Sequence, residues 1–314
     1  PSPSAPTTQA DRSSPPSMKS RLFFFTTSLL SALAIGCSGD DSASTSAPDA
    51  QDVPQEEVWS RTDEIELIKG PFSEDGIQAI LATPDLGVGA HRVAFVLQSE
   101  QSLVDAPSAT VVSRFFAEGD SEGQVRETAL AVFRPWSYGT RGTYTTRLKF
   151  DSPGMWRIDI TTLEQSEPNR SAQLSFEVAE TTKAPDVGSP AVLSVNKTLA
   201  GVDGISRLTT GSLQDSDLYQ ITIADAVNTG LPTVVVMASP AFCTNAVCGP
   251  QVETLQELKE KYKGQANFIH VDFYDNPDEI QGDLDRARLS STVLEWGLPS
   301  SEWSFVIDRD RNIA

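Results

Sequence analysis

Between Glu64 and Ala179 the chain alternates apolar and polar residues in short runs broken by turn residues. The runs are Glu64–Ile68, Gln78–Ala82, Arg92–Gln98, Thr110–Phe116, Ala129–Phe133, Gly142–Phe150, Met155–Thr161 and Gln173–Val178. A strand sends successive side chains to opposite faces, so alternation of period two marks a strand with one face buried. Thr143 through Phe150 alternates most cleanly, Asp151-Ser152-Pro153-Gly154 reads as a turn, and Trp156 to Ile160 resumes the alternation. Such a series with no helical stretch predicts an all-β domain of two packed sheets over residues 61–180.

Residues 181–215 read as a linker that contributes at most a leading strand at Ala191–Val195. From residue 216 to 314 the period changes. Asp217 is placed to cap a helix reaching Ala226, which Gly230 and Pro232 close. Thr233–Met237 is a continuous apolar run, the signature of a strand covered on both faces. Gln251–Lys263 carries Val252, Leu255, Leu258 and Tyr262 at helical spacing, with Pro250 before it and Gly264 after it. Asn267–Phe273 and Ser304–Asp308 are two further strands, so this half reads as α/β.

The amino-terminal part follows neither period. Lys19 and Arg21 precede an apolar run from Leu22 to Ile35, which ends at Gly36 and Cys37. A membrane span needs about 20 apolar residues, so the run has the length of a signal-peptide core. Leu33-Ala34-Ile35-Gly36-Cys37 resembles the lipobox of bacterial lipoproteins. That resemblance implies acylation of Cys37, removal of what precedes it, and a membrane-anchored place in the cell envelope. Residues 1–37 are then upstream sequence and signal. Residues 38–60, small, polar and acidic, form a flexible linker.

Charge changes the list of partners. With 43 acidic against 24 basic residues the net charge is -19, and a nucleic-acid partner is excluded because phosphate binding calls for a basic surface. With Cys37 assigned to lipid, two of the three cysteines remain, Cys243 and Cys248. In an oxidising compartment a close pair is either a disulfide or a redox couple.

The stretch Ala238-Ser239-Pro240-Ala241-Phe242-Cys243-Thr244-Asn245-Ala246-Val247-Cys248-Gly249-Pro250 joins the Val-rich strand to a helix. A cysteine facing a helix amino terminus meets unpaired N–H groups and the positive end of the helix dipole, which stabilise the thiolate. A cysteine loop between a buried strand and a helix resembles the thioredoxin superfamily, and Cys-Thr followed by three residues and Cys resembles the Q-type peroxiredoxins. The resemblance implies a thioredoxin-like domain over 216–314 in which Cys243 attacks and Cys248 resolves. A second register makes Cys248-Gly249-Pro250 the start of a Cys-Gly-Pro-Cys motif, with Gln251 where the second cysteine belongs. Glu302, just before the last strand, stands where these oxidoreductases carry a proline. Likewise, Gly142–Thr161 resembles the immunoglobulin-like domains of exported bacterial proteins. The module ends soon after Asp308, which implies a fragment lacking part of its carboxyl terminus.

The functional expectation is a lipid-anchored thiol–disulfide oxidoreductase whose catalytic residues are Cys243 and Cys248. It needs no cofactor and acts on a thiol or disulfide protein or a small oxidant. Two alternatives stand beside it: a non-catalytic envelope binding module with a structural disulfide, and copper handling of the Sco type. The latter would need a histidine, and His270 is the one that lies downstream. The acidic residues Asp272, Asp275, Asp278, Glu279, Asp283 and Asp285 lack the spacing of a calcium loop and read as a solvated face. His91 reads as structural.

Overall fold

The structure, a computed structural model, describes residues 67–137, 141–164, 168–212, 214–242 and 250–314. Each fully described alternating run forms a strand: β1 (Ile77–Leu81), β2 (Gly89–Ser99), β3 (Ser108–Phe116), β4 (Gln124–Pro135), β5 (Gly142–Phe150), β6 (Gly154–Leu163) and β7 (Ser171–Val178). Alternation does its expected work in β7, where Ala172, Leu174, Phe176 and Val178 are buried and the residues between them are exposed.

The arrangement of these strands corrects the two-sheet, immunoglobulin-like expectation. All seven belong to one antiparallel sheet in the order β1-β2-β5-β4-β3-β6-β7, and that sheet curls into a nearly closed barrel. The seam lies between its end strands. Gly70 donates its N–H to Ala79 O of β1 (2.9 Å), while a Cβ on Gly70 would stand 1.8 Å from Gln173 O of β7. Only a residue without a side chain can pass between the two strands here. Asp75 adds a bond across the seam by accepting from the N–H of Ser171 (2.8 Å). Period-two alternation states that one face of each strand is buried. It does not say whether that face meets a second sheet or the far wall of its own sheet.

The barrel interior is filled by aromatic rings. Phe150 meets Trp156 edge-on at 4.9 Å and Phe176 at 5.8 Å, and Phe95 stacks on Tyr144 at 5.4 Å. Each such ring, fully buried, stabilises the fold by about 2–3 kcal/mol. Tyr144 satisfies its hydroxyl by donating to Ala106 O (2.9 Å).

The thioredoxin-like α/β domain implied by the cysteine loop is likewise not formed. The described residues are mostly β, 38% strand against 16% helix. Residues 216–314 build a three-stranded sheet from β8 (Thr233–Ala238), β9 (Asn267–Asp272) and β10 (Trp303–Ile307) in the order β10-β8-β9. The helices are α1 (Ile223–Ala226), α2 (Gln251–Lys261), α3 (Pro277–Ile280) and α4 (Ser291–Glu295). Among the described residues only α2 exceeds two turns, and the sequence shows why. Thr222 caps α1 only after a 3₁₀ turn has ended. Gly230, Gly282 and Gly297 take up positive φ and break the chain after the short helices. The predicted helix from Asp217 to Ala226 is thus a 3₁₀ turn followed by a single α turn, and Ala191–Val195 is extended without entering a sheet. The described residues from 67 to 314 belong to one compact unit.

Candidate functional site

Strand direction creates the site. β9 runs parallel to β8, with Ala238 opposite Asp272, whereas β10 runs antiparallel to it, with Trp303 opposite Met237. The carboxyl ends of β8 and β9 and the amino end of β10 therefore meet at one edge of the sheet. Three polar residues stand there, one from each strand end: Ser239, Asp272 and Glu302.

Asp272 and Ser239 are buried, at 4% and 2% exposure. The Asp272 carboxylate accepts from the N–H of Thr210 (2.6 Å), the hydroxyl of Thr210 (2.9 Å), the hydroxyl of Ser239 (3.2 Å) and the N–H of Tyr274 (3.0 Å). These bonds favour the ionised form, yet burial outweighs them and raises its pKa to about 6. Glu302 is half-buried and accepts from the N–H of Ser239 (3.2 Å). Burial raises its pKa to about 7, assisted by the charges of Asp272 and Glu253 and opposed by the Ser239 bond. Its backbone is left-handed (φ 73), a conformation in which a residue with a Cβ is strained by about 1 kcal/mol or more.

Behind Asp272 the sheet holds His270, which is 1% exposed. Nε2 lies 3.2 Å from Ala238 O and Nδ1 lies 2.7 Å from the Tyr219 hydroxyl. A carbonyl oxygen only accepts, so Nε2 carries the proton and Tyr219 donates to Nδ1. Burial lowers the His270 pKa to about 4 and raises that of Tyr219. Both ring nitrogens of His270 are thus engaged by neighbouring protein groups. No group of three metal-ligating side chains occurs among the described residues. A cleft of about 50 Å³, lined in part by Arg207, Tyr219, His270, Asp272 and Tyr274, gives this edge room for about one or two waters.

Cys37, Cys243 and Cys248 lie outside the described residues. The chain on either side of the cysteine pair is described, and it is held at both ends. Phe242, the residue before Cys243, packs edge-on against Tyr274 at 5.8 Å. Ala241 bonds Thr210 Oγ1 through its N–H (3.4 Å). At the exit, Gln251 accepts from the hydroxyl of Ser304 in β10 (2.6 Å). The described residues on either side of the cysteine pair are thus tied to Thr210 and Tyr274, which bond Asp272, and to β10, which begins next to Glu302.

Sequence reasoning missed Asp272 as a site residue by grouping it with a solvated acidic run. The others in that run behave as read: Asp275 pairs with Lys197 (2.8 Å), Asp278 with Arg207 (3.7 Å) and Glu279 with Arg288 (3.0 Å). The available signal was the apolar stretch Phe268–Val271 directly before Asp272, which marks it as the end of a buried strand. Thr210 and Tyr219 carried no comparable signal. Compared with known protein families and with curated proteins, the sequence matches none.

Proposed function

We propose that the chain is a lipid-anchored, extracytoplasmic thiol–disulfide exchange protein acting through Cys243 and Cys248. The observation that carries this reading is the pair of proton-holding carboxyls, Asp272 and Glu302, at the strand ends that flank the cysteine segment. Their raised pKa values of about 6 and 7 suit groups that take a proton from a thiol near neutral pH. In the exchange, the Cys243 thiolate attacks one sulfur of a partner disulfide. That S–S bond breaks, a mixed disulfide forms, and the other partner sulfur leaves as thiolate. The Cys248 thiolate then attacks Cys243 in the mixed disulfide and releases the second partner sulfur. The partner gains two electrons, and Cys243 and Cys248 end as a disulfide. The thiol protons pass to the carboxyl cluster and on to water.

The test is a redox titration of the full chain against glutathione, with alkylation and intact mass reporting the state of Cys243 and Cys248. A midpoint within the range of exchange catalysts, about −120 to −270 mV, supports the proposal. A midpoint below about −300 mV overturns it and leaves a binding module with a structural disulfide. The anchor is read separately: the mature protein should begin at an acylated Cys37, visible as added acyl mass on its first residue. Among the described residues no helix is long and apolar enough to cross a membrane.

A further inference from the structure

The outer face of the barrel carries an arrangement that an acidic protein has every means to avoid. Arg92 of β2 and Arg147 of β5 are direct cross-strand partners, and Arg134 stands on the neighbouring strand β4, opposite Thr143. Their sequence neighbours Val93, Phe133 and Leu148 turn into the core, so all three arginines project outward, and all three are exposed. Like charges directly opposed on a sheet are destabilising. No side-chain hydrogen bond or ion pair joins any of the three guanidinium groups to another residue among those described.

That isolation is not general. Elsewhere on the same barrel Arg114 pairs with Asp159 at 2.7 Å, Arg126 with Asp151 at 3.6 Å and Arg170 with Glu164 at 3.1 Å. With 43 acidic residues in the chain, a carboxylate beside Arg92 would be easy to supply. The residues between and beside the three arginines are instead Thr143, Thr145, Val132 and Leu130, the last exposed at 56%. Partial desolvation of the Arg92 guanidinium by its neighbours lowers its pKa, and the charges of Arg134 and Arg147 lower it further. At the end of β4, Trp136 carries the guanidinium of Arg141 at 4.6 Å from its ring centroid.

The unpartnered guanidinium groups of Arg92, Arg134 and Arg147, the exposed side chain of Leu130 and the nearby Trp136 match a phosphate-bearing lipid surface. Arginine forks bind phosphate oxygens in pairs, and tryptophan favours the headgroup level. The net negative charge of the chain is screened beyond about 10 Å, so the local face decides the contact. We propose that the Arg92–Arg134–Arg147 face docks on the phosphate headgroups of an anionic membrane. This proposal concerns the barrel alone and stands whether or not the cysteines perform exchange.

The experiment uses the full chain with Cys37→Ser, so that no acyl group contributes, and measures partition to vesicles of phosphatidylglycerol and of phosphatidylcholine. The expected result is a preference for phosphatidylglycerol that weakens at high salt. It should fall by about fivefold per arginine removed, roughly a hundredfold in Arg92→Gln/Arg134→Gln/Arg147→Gln. The corresponding triple Lys variant should keep most of the preference, and a melting temperature no lower than the parent's confirms that both variants fold. Equal partition of the Gln variant and its parent overturns the proposal. So does inorganic phosphate that raises the melting temperature of the parent but not of the Gln variant while neither vesicle is preferred, since the face would then hold a free anion.

Discussion

Replacing Glu302 by glutamine isolates the electrostatic cost of the carboxyl cluster. The folded state raises the Glu302 pKa from an ordinary 4.5 to about 7. Below pH 4.5 the side chain is protonated in both folded and unfolded chains and contributes no difference. Between 4.5 and 7 the unfolded chain gives up its proton while the folded chain holds it, so stability falls as pH rises. Above pH 7 the loss is complete and amounts to about 2–4 kcal/mol, from about 1.4 kcal/mol per pKa unit. Glutamine keeps the shape and an oxygen to accept from Ser239 N–H, keeps the left-handed backbone with its strain, and removes the titration. Urea midpoints of parent and Glu302→Gln should therefore coincide within error at pH 4 and diverge steadily, the variant becoming more stable by that amount at pH 8. In thermal melts the gap is roughly 5–15 °C for a domain of this size. Asp272, raised from 3.8 to about 6, lowers stability between those values in both proteins. His270, lowered to about 4, destabilises both as pH falls below 6.5, so its contribution cancels in the difference. A gap that is constant with pH would refute the argument, as would a variant less stable than its parent at pH 8.

Three other substitutions test the scaffold. Gly70→Ala places a Cβ against Gln173 O at the barrel seam and should cost about 1–3 kcal/mol, with the Gly70 amide losing hydrogen-exchange protection before the amides of β5 do. Tyr144→Phe removes the bond to Ala106 O inside the barrel and should lower stability by about 1 kcal/mol in urea, with the near-ultraviolet circular dichroism otherwise kept. Tyr219→Phe leaves Nδ1 of buried His270 without a donor. It should cost about 1–3 kcal/mol, and the ¹⁵N chemical shifts of the His270 ring should report the lost bond.

The barrel strands were legible because each needs only a local property, one apolar face, and Gly142–Phe150 announces its own boundaries. Closure was not legible, since it depends on a contact between Gly70 and Gln173 that no window of sequence contains. The carboxyl-terminal strands were found for the same reason as those of the barrel. Their assembly was overread, because a buried Val-rich strand followed by a cysteine loop and a helix suggested a whole α/β domain. The segment between β9 and β10 instead spends its length on single turns. Pro277 starts α3 and Gly282 follows its end, while Gly297 follows the end of α4.

The site shows a different limit. Glu302 was visible in the sequence only as the wrong residue for a proline slot, and Asp272 only as one acid among six. What distinguishes them is the combination of one parallel and one antiparallel pairing around β8, which brings residues from three distant stretches to a single edge. Reversing either pairing would send Glu302 or Asp272 to the opposite end of the sheet, away from Ser239. Burial then does to both carboxyls what sequence composition cannot: four donors aimed at Asp272 would ordinarily hold its pKa low, and desolvation overrides them. A chain that keeps two carboxyls dehydrated, one of them on a strained backbone, gives up several kcal/mol of stability above neutral pH. Neither acid has a counter-ion within bonding distance among the described residues, so ion pairing does not return that energy. The cluster is retained at a cost in stability, and the exchange proposed for Cys243, four residues after Ser239, is the use of a proton-holding pair that this cost would serve.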